Sequence, residues 1–200
     1  MMKINEIFYS LQGEGRFAGH AAVFVRLSGC NLACPFCDTQ HQDGREMTDD
    51  EIIGEIRKYP ARHAVITGGE PGLQLTREFV DRLRLEGYFV QVETNGTLPI
   101  PPNVDWVTCS PKTLDIVLER VDEIKLLFHD DGHDEERVSL YEPIEARHRS
   151  LQPCDHAMTV HDDDECHLRN AATLANCIAF IKAHPAWSLS LQTHKMLGIR

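Results

Sequence analysis

Short apolar segments alternate with amphipathic helical patterns along most of the chain. The segments that have the length and composition of strands lie at residues 22–27, 63–67, 88–93, 105–109, 123–127, 149–152 and 187–191. Acidic stretches at residues 130–136 and 161–165 interrupt the second half, and we expect them to be solvated loops. The first half therefore combines strands with helices, whereas the second half is rich in strands.

Three segments carry apolar residues at helical spacing. The first follows Thr48-Asp49-Asp50-Glu51, a capping box that predicts a helix start, and the third covers residues 170–182. Their predicted inward-facing residues are Ile52, Ile53 and Ile56; Leu75, Phe79, Val80 and Leu83; and Ala171, Leu174, Ile178 and Ile181. Alternation of strands and helices predicts an α/β fold with a parallel sheet. Because helices are few and 200 residues are too short for eight full units, we expect a single domain over residues 1–200 with a reduced, incomplete (β/α) barrel.

Composition narrows the class of protein. The chain is 42% apolar and 26% charged, which suffices for one sizeable core. The net charge of −11 argues against nucleic acid or an anionic membrane as the partner. No apolar run is long enough to span a bilayer, and the N-terminal residues lack the apolar core of a signal peptide. We therefore predict a cytoplasmic protein.

Three of the seven cysteines, Cys30, Cys34 and Cys37, lie within one short segment directly after a predicted strand. In a reducing compartment such clustering favours a metal site over disulfides, and three soft thiolates can hold one metal centre. A structural zinc would need a fourth ligand, for which His41 is the nearest candidate. An iron–sulfur cluster with three cysteines would leave one iron open to a small molecule. Both interpretations remain open on spacing alone.

The other cysteines and histidines are interpreted structurally. Cys109 and Cys177 lie in apolar surroundings and are expected in the core, and Cys154 and Cys166 are not expected to be ligands. His161 and His167 flank Cys166 in an acidic region, which we interpret as a surface insertion rather than a second metal site.

A second motif joins the cysteine segment to a known superfamily. Thr67-Gly68-Gly69-Glu70-Pro71 follows the next predicted strand, and its two glycines expose backbone polar groups to a ligand. The cysteine spacing and this motif together resemble the radical S-adenosylmethionine (SAM) superfamily. The resemblance implies a [4Fe–4S] cluster on the three cysteines, with SAM bound at the open iron and cleaved to a 5′-deoxyadenosyl radical.

Further short motifs occur in a fixed order along nearly the whole chain. They are residues 6–15 (EIFYSLQGEG), Glu93-Thr94-Asn95-Gly96, Ser110-Pro111-Lys112, Gln152-Pro153 and Gln192-Thr193-His194-Lys195. This order resembles the 7-carboxy-7-deazaguanine synthase family. The resemblance implies a lyase that contracts the ring of 6-carboxy-5,6,7,8-tetrahydropterin, with loss of ammonia, after hydrogen abstraction at C6. It also implies a place in queuosine and 7-deazapurine biosynthesis, a Mg²⁺ ion, a homodimer and an electron donor such as flavodoxin.

The same resemblance implies roles for individual residues. The expected Mg²⁺ ligand is Thr39, whose hydroxyl is a hard oxygen donor. The expected cofactor contacts are Phe36, Cys37, Asp38, Gly69, Ser110, Pro111, Lys112, Gln152, Pro153, Cys154 and Asp155. The expected substrate contacts are Leu11, Gln12, Gly13, Arg26, Thr67 and Arg200. No protein acid or base is assigned, and Glu14, Glu93 and His194 are left without a role. Residues 155–166 are long and acidic for the family and are expected to reshape the cofactor wall.

Two arginines carry specific expectations. Arg26 lies among apolar neighbours on the strand that leads to the cysteines, where its planar guanidinium would bind the substrate carboxylate. An internal salt bridge to an acid such as Glu14 is the alternative. Arg200 is expected to contact the pterin through its terminal carboxylate. Two rival functions remain: a radical activase that acts on a protein partner, and a zinc-stabilised binding module.

Overall fold

The computed structural model describes residues 1–34, 37, 42–156 and 164–200, with only the backbone of residues 164 and 165. Nine strands are found in this part of the chain. They are β1 (Met2–Leu11), β2 (Ala21–Leu27), β3 (Arg45–Met47), β4 (His63–Gly68), β5 (Phe89–Thr94), β6 (Trp106–Cys109), β7 (Arg120–Phe128), β8 (Glu145–Pro153) and β9 (Ser188–Leu189). The helices are α1 (Asp49–Ile56), α2 (Arg77–Leu85), α3 (Asp134–Tyr141), α4 (Asp164–Ala183) and α5 (Thr193–Leu197).

All the strands belong to one sheet, in the order β3-β1-β2-β4-β5-β6-β7-β8-β9. From β2 onward every neighbouring pair is parallel, whereas β1 runs antiparallel to both β2 and β3. Pairing within the described residues does not join β9 back to β3, so the sheet does not close into a ring. No helix lies between β5 and β6 or between β6 and β7 in the described chain. The predicted α/β fold with few helices and an incomplete barrel is confirmed.

The first helix forms as its capping box predicts. The Thr48 hydroxyl accepts a hydrogen bond from the Glu51 backbone N–H (3.3 Å), and the Glu51 carboxylate accepts one from the Thr48 N–H (2.7 Å). The isoleucines of α1 are buried in one core with β1, β2, β4, β5 and three residues of α2, namely Phe79, Val80 and Leu83. This core fixes the strands after which the cysteine and glycine motifs follow.

The third predicted helix exists, but part of its predicted inner face is wrong. Ala171 and Ile178 are exposed, whereas Thr173 and Cys177 are buried. The small threonine and cysteine side chains lie on the face of α4 that packs on β8, a face that apolar periodicity alone overlooks. Cys177 and Cys109 are both fully buried, as predicted. The acidic stretch at 161–165 is partly helical, since α4 begins at Asp164.

The acidic stretch at residues 130–136 is also not simply a loop, because α3 begins at Asp134. The Asp134 carboxylate accepts hydrogen bonds from the backbone N–H groups of His129 and Asp130, both at 2.8 Å, and pairs with Arg137 at 2.8 Å. One buried acid therefore fixes the turn that precedes the helix, which charge composition alone does not indicate. Across the described residues, no helix is both long and apolar enough to cross a bilayer.

Candidate active site

A cavity of about 860 Å³ opens at the carboxyl ends of the parallel strands and extends into the interior of the incomplete barrel. Because parallel strands end at the same edge of a sheet, loops distant in sequence meet there. Cys30 follows β2, Gly69 follows β4, Asn95 follows β5 and Ser110 follows β6, and all four line the cavity.

The three clustered thiols share one wall of this cavity. Cys30, Cys34 and Cys37 are free thiols that line it, and the Cys37 backbone N–H donates to the Cys34 carbonyl at 3.1 Å. Burial raises the pKa of the Cys30 and Cys34 thiols, and the nearby charge of the other cysteines raises them further. Within the described residues, no three His, Cys, Asp or Glu side chains are gathered closely enough to hold a metal ion. The thiols therefore supply a donor set for a soft metal centre without defining a coordination geometry.

The two glycines at the end of β4, Gly68 and Gly69, pack against the end of β2 and the start of the cysteine loop. The Gly69 N–H donates to the Leu27 carbonyl at 3.0 Å, and the Glu70 N–H donates to the Gly29 carbonyl at 2.9 Å. Gly68 has a φ of 124°, in the region that favours glycine, and a Cβ on Gly69 would overlap with the Gly29 carbonyl. The double glycine thus allows the two loops to touch through their backbones.

Both ends of the cysteine loop are anchored. The Ser28 hydroxyl donates to the Asp43 carbonyl at 2.5 Å, and the Asn5 amide donates to the same carbonyl at 2.9 Å. The Gln74 side-chain amide donates to the Ser28 carbonyl at 2.6 Å, and its oxygen accepts a hydrogen bond from the Lys3 backbone N–H at 2.7 Å. Thr39, Phe36 and Asp38 lie outside the described residues, so their expected roles stay predictions.

The interior floor of the cavity is formed by a buried charged group of three side chains, Lys125, Glu14 and Glu93. The Lys125 Nζ lies 2.6 Å from a Glu14 oxygen and 3.1 Å from a Glu93 oxygen, and only 6% of the lysine side chain is exposed. Burial alone raises the pKa of Glu14, but the charge and hydrogen bond of Lys125 outweigh it and lower that pKa to about 2. The pKa of Glu93 is raised by its burial, and that of Lys125 is raised by the two carboxylates despite its own burial.

Amide side chains extend this floor. The Gln12 amide donates to Glu93 at 3.3 Å, and the amides of Gln152 and Gln192 donate to Glu14 at 3.2 and 3.0 Å. Residues 12–17 run across the interior from the end of β1, and the Phe17 ring closes the far end against aromatic rings of β5 and β6. The cavity therefore has a polar, hydrogen-bonding floor beneath the thiols.

Arg26 and Arg200 meet at one acid beside the cavity. The Arg26 Nε lies 2.9 Å from one oxygen of Glu6, and the Arg200 guanidinium lies 2.5 Å from the other. Both guanidinium groups also lie over the Phe8 ring, at 5.7 and 5.4 Å from its centroid. The alternative expected for Arg26, an internal salt bridge, is therefore present, but its acid is Glu6 and not the suggested Glu14, which pairs with Lys125.

The C-terminal segment passes over the open side of the sheet. The Thr193 N–H donates to the Gly13 carbonyl at 2.9 Å, and the Ser10 hydroxyl donates to the Arg200 carbonyl at 2.5 Å. Ile199 and Arg200 line the cavity, as does His194, whose ring lies against Gly13. The segment thus links the end of the sheet at β9 to β1 near the opposite end, two parts that are not paired as strands.

Comparison with known proteins places this geometry in a family. Residues 24–136 match the model of the radical SAM superfamily. A 7-carboxy-7-deazaguanine synthase of Bacteroides thetaiotaomicron is 50% identical over the full length of both chains. The chain belongs to the 7-carboxy-7-deazaguanine synthase family of radical SAM enzymes. A synthase of this name from Neisseria meningitidis is 40% identical over 98% of this chain and 93% of its own.

A solved relative has the same fold. The crystal structure of QueE from Escherichia coli superposes with a TM-score of 0.74 at 30% identity, covering 95% of this chain and 93% of that one. Membership in the radical SAM superfamily implies a [4Fe–4S] cluster and SAM. The donor set of this 7-carboxy-7-deazaguanine synthase family member fits those groups, since three thiols outside any disulfide and the double glycine line one cavity.

The structure brings most of the expected site residues together. Those that line the cavity are Leu11, Gln12, Gly13, Arg26, Cys30, Cys34, Cys37, Thr67, Gly69, Ser110, Lys112, Gln152 and Arg200. Four expected cofactor contacts are not among the residues that line the cavity: Pro111 after β6, Pro153 at the end of β8, and Cys154 and Asp155 after it. Asp155 instead pairs with Lys195 at 2.8 Å and accepts a hydrogen bond from Asn170 at 2.9 Å. The cofactor and substrate roles of all these residues stay predictions.

The place of Lys125 in the cavity floor was not predicted from the sequence. A lysine inside the apolar run of β7 was a usable signal, because a charge at an interior strand position needs a buried partner. Its partners lie 111 and 32 positions away, so the pattern alone could not identify them. Lys112, an expected cofactor contact, is half-buried, and its ammonium donates to the Ser110 hydroxyl at 2.6 Å while partial burial lowers its pKa.

Proposed function

We propose that this chain converts 6-carboxy-5,6,7,8-tetrahydropterin to 7-carboxy-7-deazaguanine, with loss of ammonia, in queuosine and 7-deazapurine biosynthesis. The observation that carries the proposal is the single cavity that joins three free thiols at the strand ends to a buried polar floor. Relatives named 7-carboxy-7-deazaguanine synthase, alignable over the whole chain, support the same reaction. A radical activase or a zinc module gives no reason for the polar floor.

The upper part of the cavity fits the cofactors. Cys30, Cys34 and Cys37 would hold the cluster, and Gly69, whose N–H is bonded to Leu27, would offer its backbone carbonyl to SAM next to it. When bound, the cluster and SAM supply the oxidising radical that starts the reaction. The chain's own task is to hold the three thiols on one wall and to shield this chemistry inside the barrel.

The lower part fits the pterin. Arg26 would bind the substrate carboxylate through charge-assisted hydrogen bonds while it keeps its ion pair with Glu6. The ring amino and N–H groups of a pterin are donors, and the floor offers carboxylate and amide oxygens from Glu14, Glu93 and Gln12 as acceptors. Lys125 keeps Glu14 ionised, because it lowers the pKa of that carboxyl to about 2. The floor would thus orient the ring so that C6 faces the thiol wall.

The remaining expectations belong to the same proposal. Thr39 would contribute a hydroxyl ligand to Mg²⁺ on the cysteine loop, and Mg²⁺ would stabilise charge on the substrate. We further propose a homodimer in the cytoplasm, reduced by an electron donor such as flavodoxin. These points rest on the family resemblance.

An anaerobic assay with the reconstituted protein tests the reaction. With 6-carboxytetrahydropterin, SAM, Mg²⁺ and a chemical reductant, we expect the deazaguanine chromophore and one ammonia per product. Cys34→Ala should abolish turnover, whereas Cys177→Ala, at a core position away from the cavity, should retain it. A colourless protein with stoichiometric zinc would instead favour the binding module, and SAM cleavage without pterin turnover would favour the activase.

A further inference from the structure

A closed ring of side-chain hydrogen bonds connects the cysteine loop to the loop after β5. The Asn31 amide donates to the Thr97 hydroxyl at 2.7 Å, and that hydroxyl donates to the Asn95 amide oxygen at 2.7 Å. The Asn95 amide then donates back to the Asn31 amide oxygen at 3.0 Å. Each of the three side chains both donates and accepts within the ring, an arrangement in which the bonds reinforce one another.

On one side, the ring is anchored to the buried carboxylate of Glu70. This residue has no exposed surface, and its oxygens accept hydrogen bonds from the Thr94 hydroxyl at 2.7 Å and the Asn95 backbone N–H at 2.8 Å. It also accepts one from the Gly72 N–H at 2.8 Å. Three donors to one carboxylate fix the loop after β5 against the end of β4.

On the other side, the ring reaches Cys30. Asn31 is the next residue, so the ring fixes the backbone beside Cys30, and its amide oxygen lies 4.0 Å from the Cys30 sulfur while that thiol is protonated. The Leu32 backbone N–H donates to the same sulfur at 3.4 Å. The preceding Gly29 carbonyl is held by the Glu70 N–H at 2.9 Å, so the backbone on both sides of Cys30 is connected to the same group of residues.

We infer that Asn31, Asn95 and Thr97 are positioning residues, which hold the Cys30 thiol in place for the metal cluster through this hydrogen-bonded ring. The inference rests on the proposed role of Cys30 as a cluster ligand. Asn31 is exposed, so water would be an equally good hydrogen-bond partner for its side-chain amide. The ring instead holds that amide in one orientation beside Cys30. The ring also explains the Thr94-Asn95-Gly96 motif, because the Thr94 and Asn95 side chains have no other role in the proposed reaction.

Substitutions at Asn95 distinguish the hydrogen bond to Asn31 from the hydrogen bonds with Thr97. The Asn95 oxygen accepts from both the N–H (2.9 Å) and the hydroxyl of Thr97, which shapes the loop, whereas its nitrogen reaches Asn31. Asn95→Asp keeps the acceptor but loses the donor to Asn31, and Asn95→Ala loses both. Asn103→Ala is the matched control, because Asn103 bonds to the Arg77 carbonyl (2.9 Å) and to Asp81 (2.7 Å), away from the cysteine loop.

The test is the rate at which the anaerobically reconstituted protein releases iron to a chelator, together with the electron paramagnetic resonance spectrum of the reduced cluster. We expect about tenfold faster release from Asn95→Asp, Asn95→Ala and Asn31→Ala, the usual effect of losing a group that orients a metal ligand, and altered g values. Asn103→Ala should match the wild type. Asn31→Ala tests the ring at an exposed position where folding is not threatened.

The outcomes distinguish this inference from the proposed function. If the wild type retains its cluster and all variants release iron at the same rate with the same spectrum, the ring does not position Cys30 and the inference is wrong. If the wild type takes up no iron, the cluster assignment itself is overturned, and the inference with it. Faster release from Asn103→Ala equal to that from Asn95→Asp would show a general loss of stability and would also overturn the inference.

Discussion

Replacement of Lys125 by methionine removes the only cation of the three-residue group that forms the cavity floor. Methionine preserves most of the length of the side chain, so the main loss is the charge and its hydrogen bonds to Glu14 and Glu93. The side chains of these carboxylates are 19% and 16% exposed, so water can replace the lysine only in small part. We expect the folded state to be strongly destabilised at neutral pH.

Two arguments give the magnitude. Removal of one partner from a buried ion pair costs about 3–5 kcal/mol. The pKa of Glu14 is lowered from an ordinary 4.5 to about 2, which corresponds to about 3 kcal/mol of stabilisation at neutral pH. For a protein of this size, 3 kcal/mol lowers the melting temperature by about 6–12 °C.

The pH dependence has a definite sign. Because the folded-state pKa of Glu14 is lowered, its stabilisation is present above pH 4.5 and is lost as the pH falls toward 2. In Lys125→Met, burial acts on both carboxylates without an opposing cation, so their pKa values rise and they take up protons below neutral pH. The difference in stability between wild type and variant should therefore be largest near pH 7.5 and narrow toward pH 5.

Thermal unfolding of the apo protein, followed by circular dichroism at both pH values, provides the measurement. Lys58→Met is the matched control, since Lys58 pairs with Glu55 at 2.6 Å but 61% of its side chain is exposed. Such a surface pair contributes at most about 1 kcal/mol. A Lys125→Met melting temperature as close to wild type as that of Lys58→Met, or a difference that does not change with pH, would refute the reasoning.

Three other substitutions should change cluster assembly, substrate affinity and stability, respectively. Gly69→Ala places a Cβ on the Gly29 carbonyl and should prevent cluster assembly, so the reconstituted variant should contain little iron and sulfide. Arg26→Lys loses the planar fork and should raise the KM for the carboxylated pterin about 10- to 100-fold, while binding of an analogue without the carboxylate should not change. Phe17→Ala removes the ring that packs on Trp106 at 4.9 Å between centroids and should lower the free energy of unfolding in urea by about 2 kcal/mol.

Local patterns predicted much of the fold. The Thr48 capping box, the apolar strands and the short helices all follow from rules that act over a few residues. Because β2 and β4 are parallel neighbours in the sheet, those rules also predict that the cysteine loop after β2 and the glycines at the end of β4 meet at one edge. The helix at Asp134 was missed because it carries no apolar stripe, and its first residue is an acid buried against the preceding turn.

The floor of the site lay beyond local patterns. Lys125 meets Glu14 only because residues 12–17 cross the interior of the barrel, and nothing near either residue in the sequence indicates that crossing. The pairing of Arg26 with Glu6 depends on the antiparallel β1–β2 register, in which the two residues are direct neighbours. The strand register and the path of residues 12–17 therefore determine which acid pairs with Arg26 and with Lys125. The residue types alone indicated only that each buried cation needs an acidic partner.

The most direct test of the central claim, that one cavity serves both the thiol-bound cofactors and the pterin, is isotope transfer between the two. The reconstituted protein would turn over 6-carboxytetrahydropterin deuterated at C6, and the recovered SAM and product would be analysed by mass spectrometry. The account predicts the deazaguanine product together with deuterium in the recovered SAM. Absence of product, or product with no deuterium in SAM, would contradict a shared cavity in which C6 faces the cofactor.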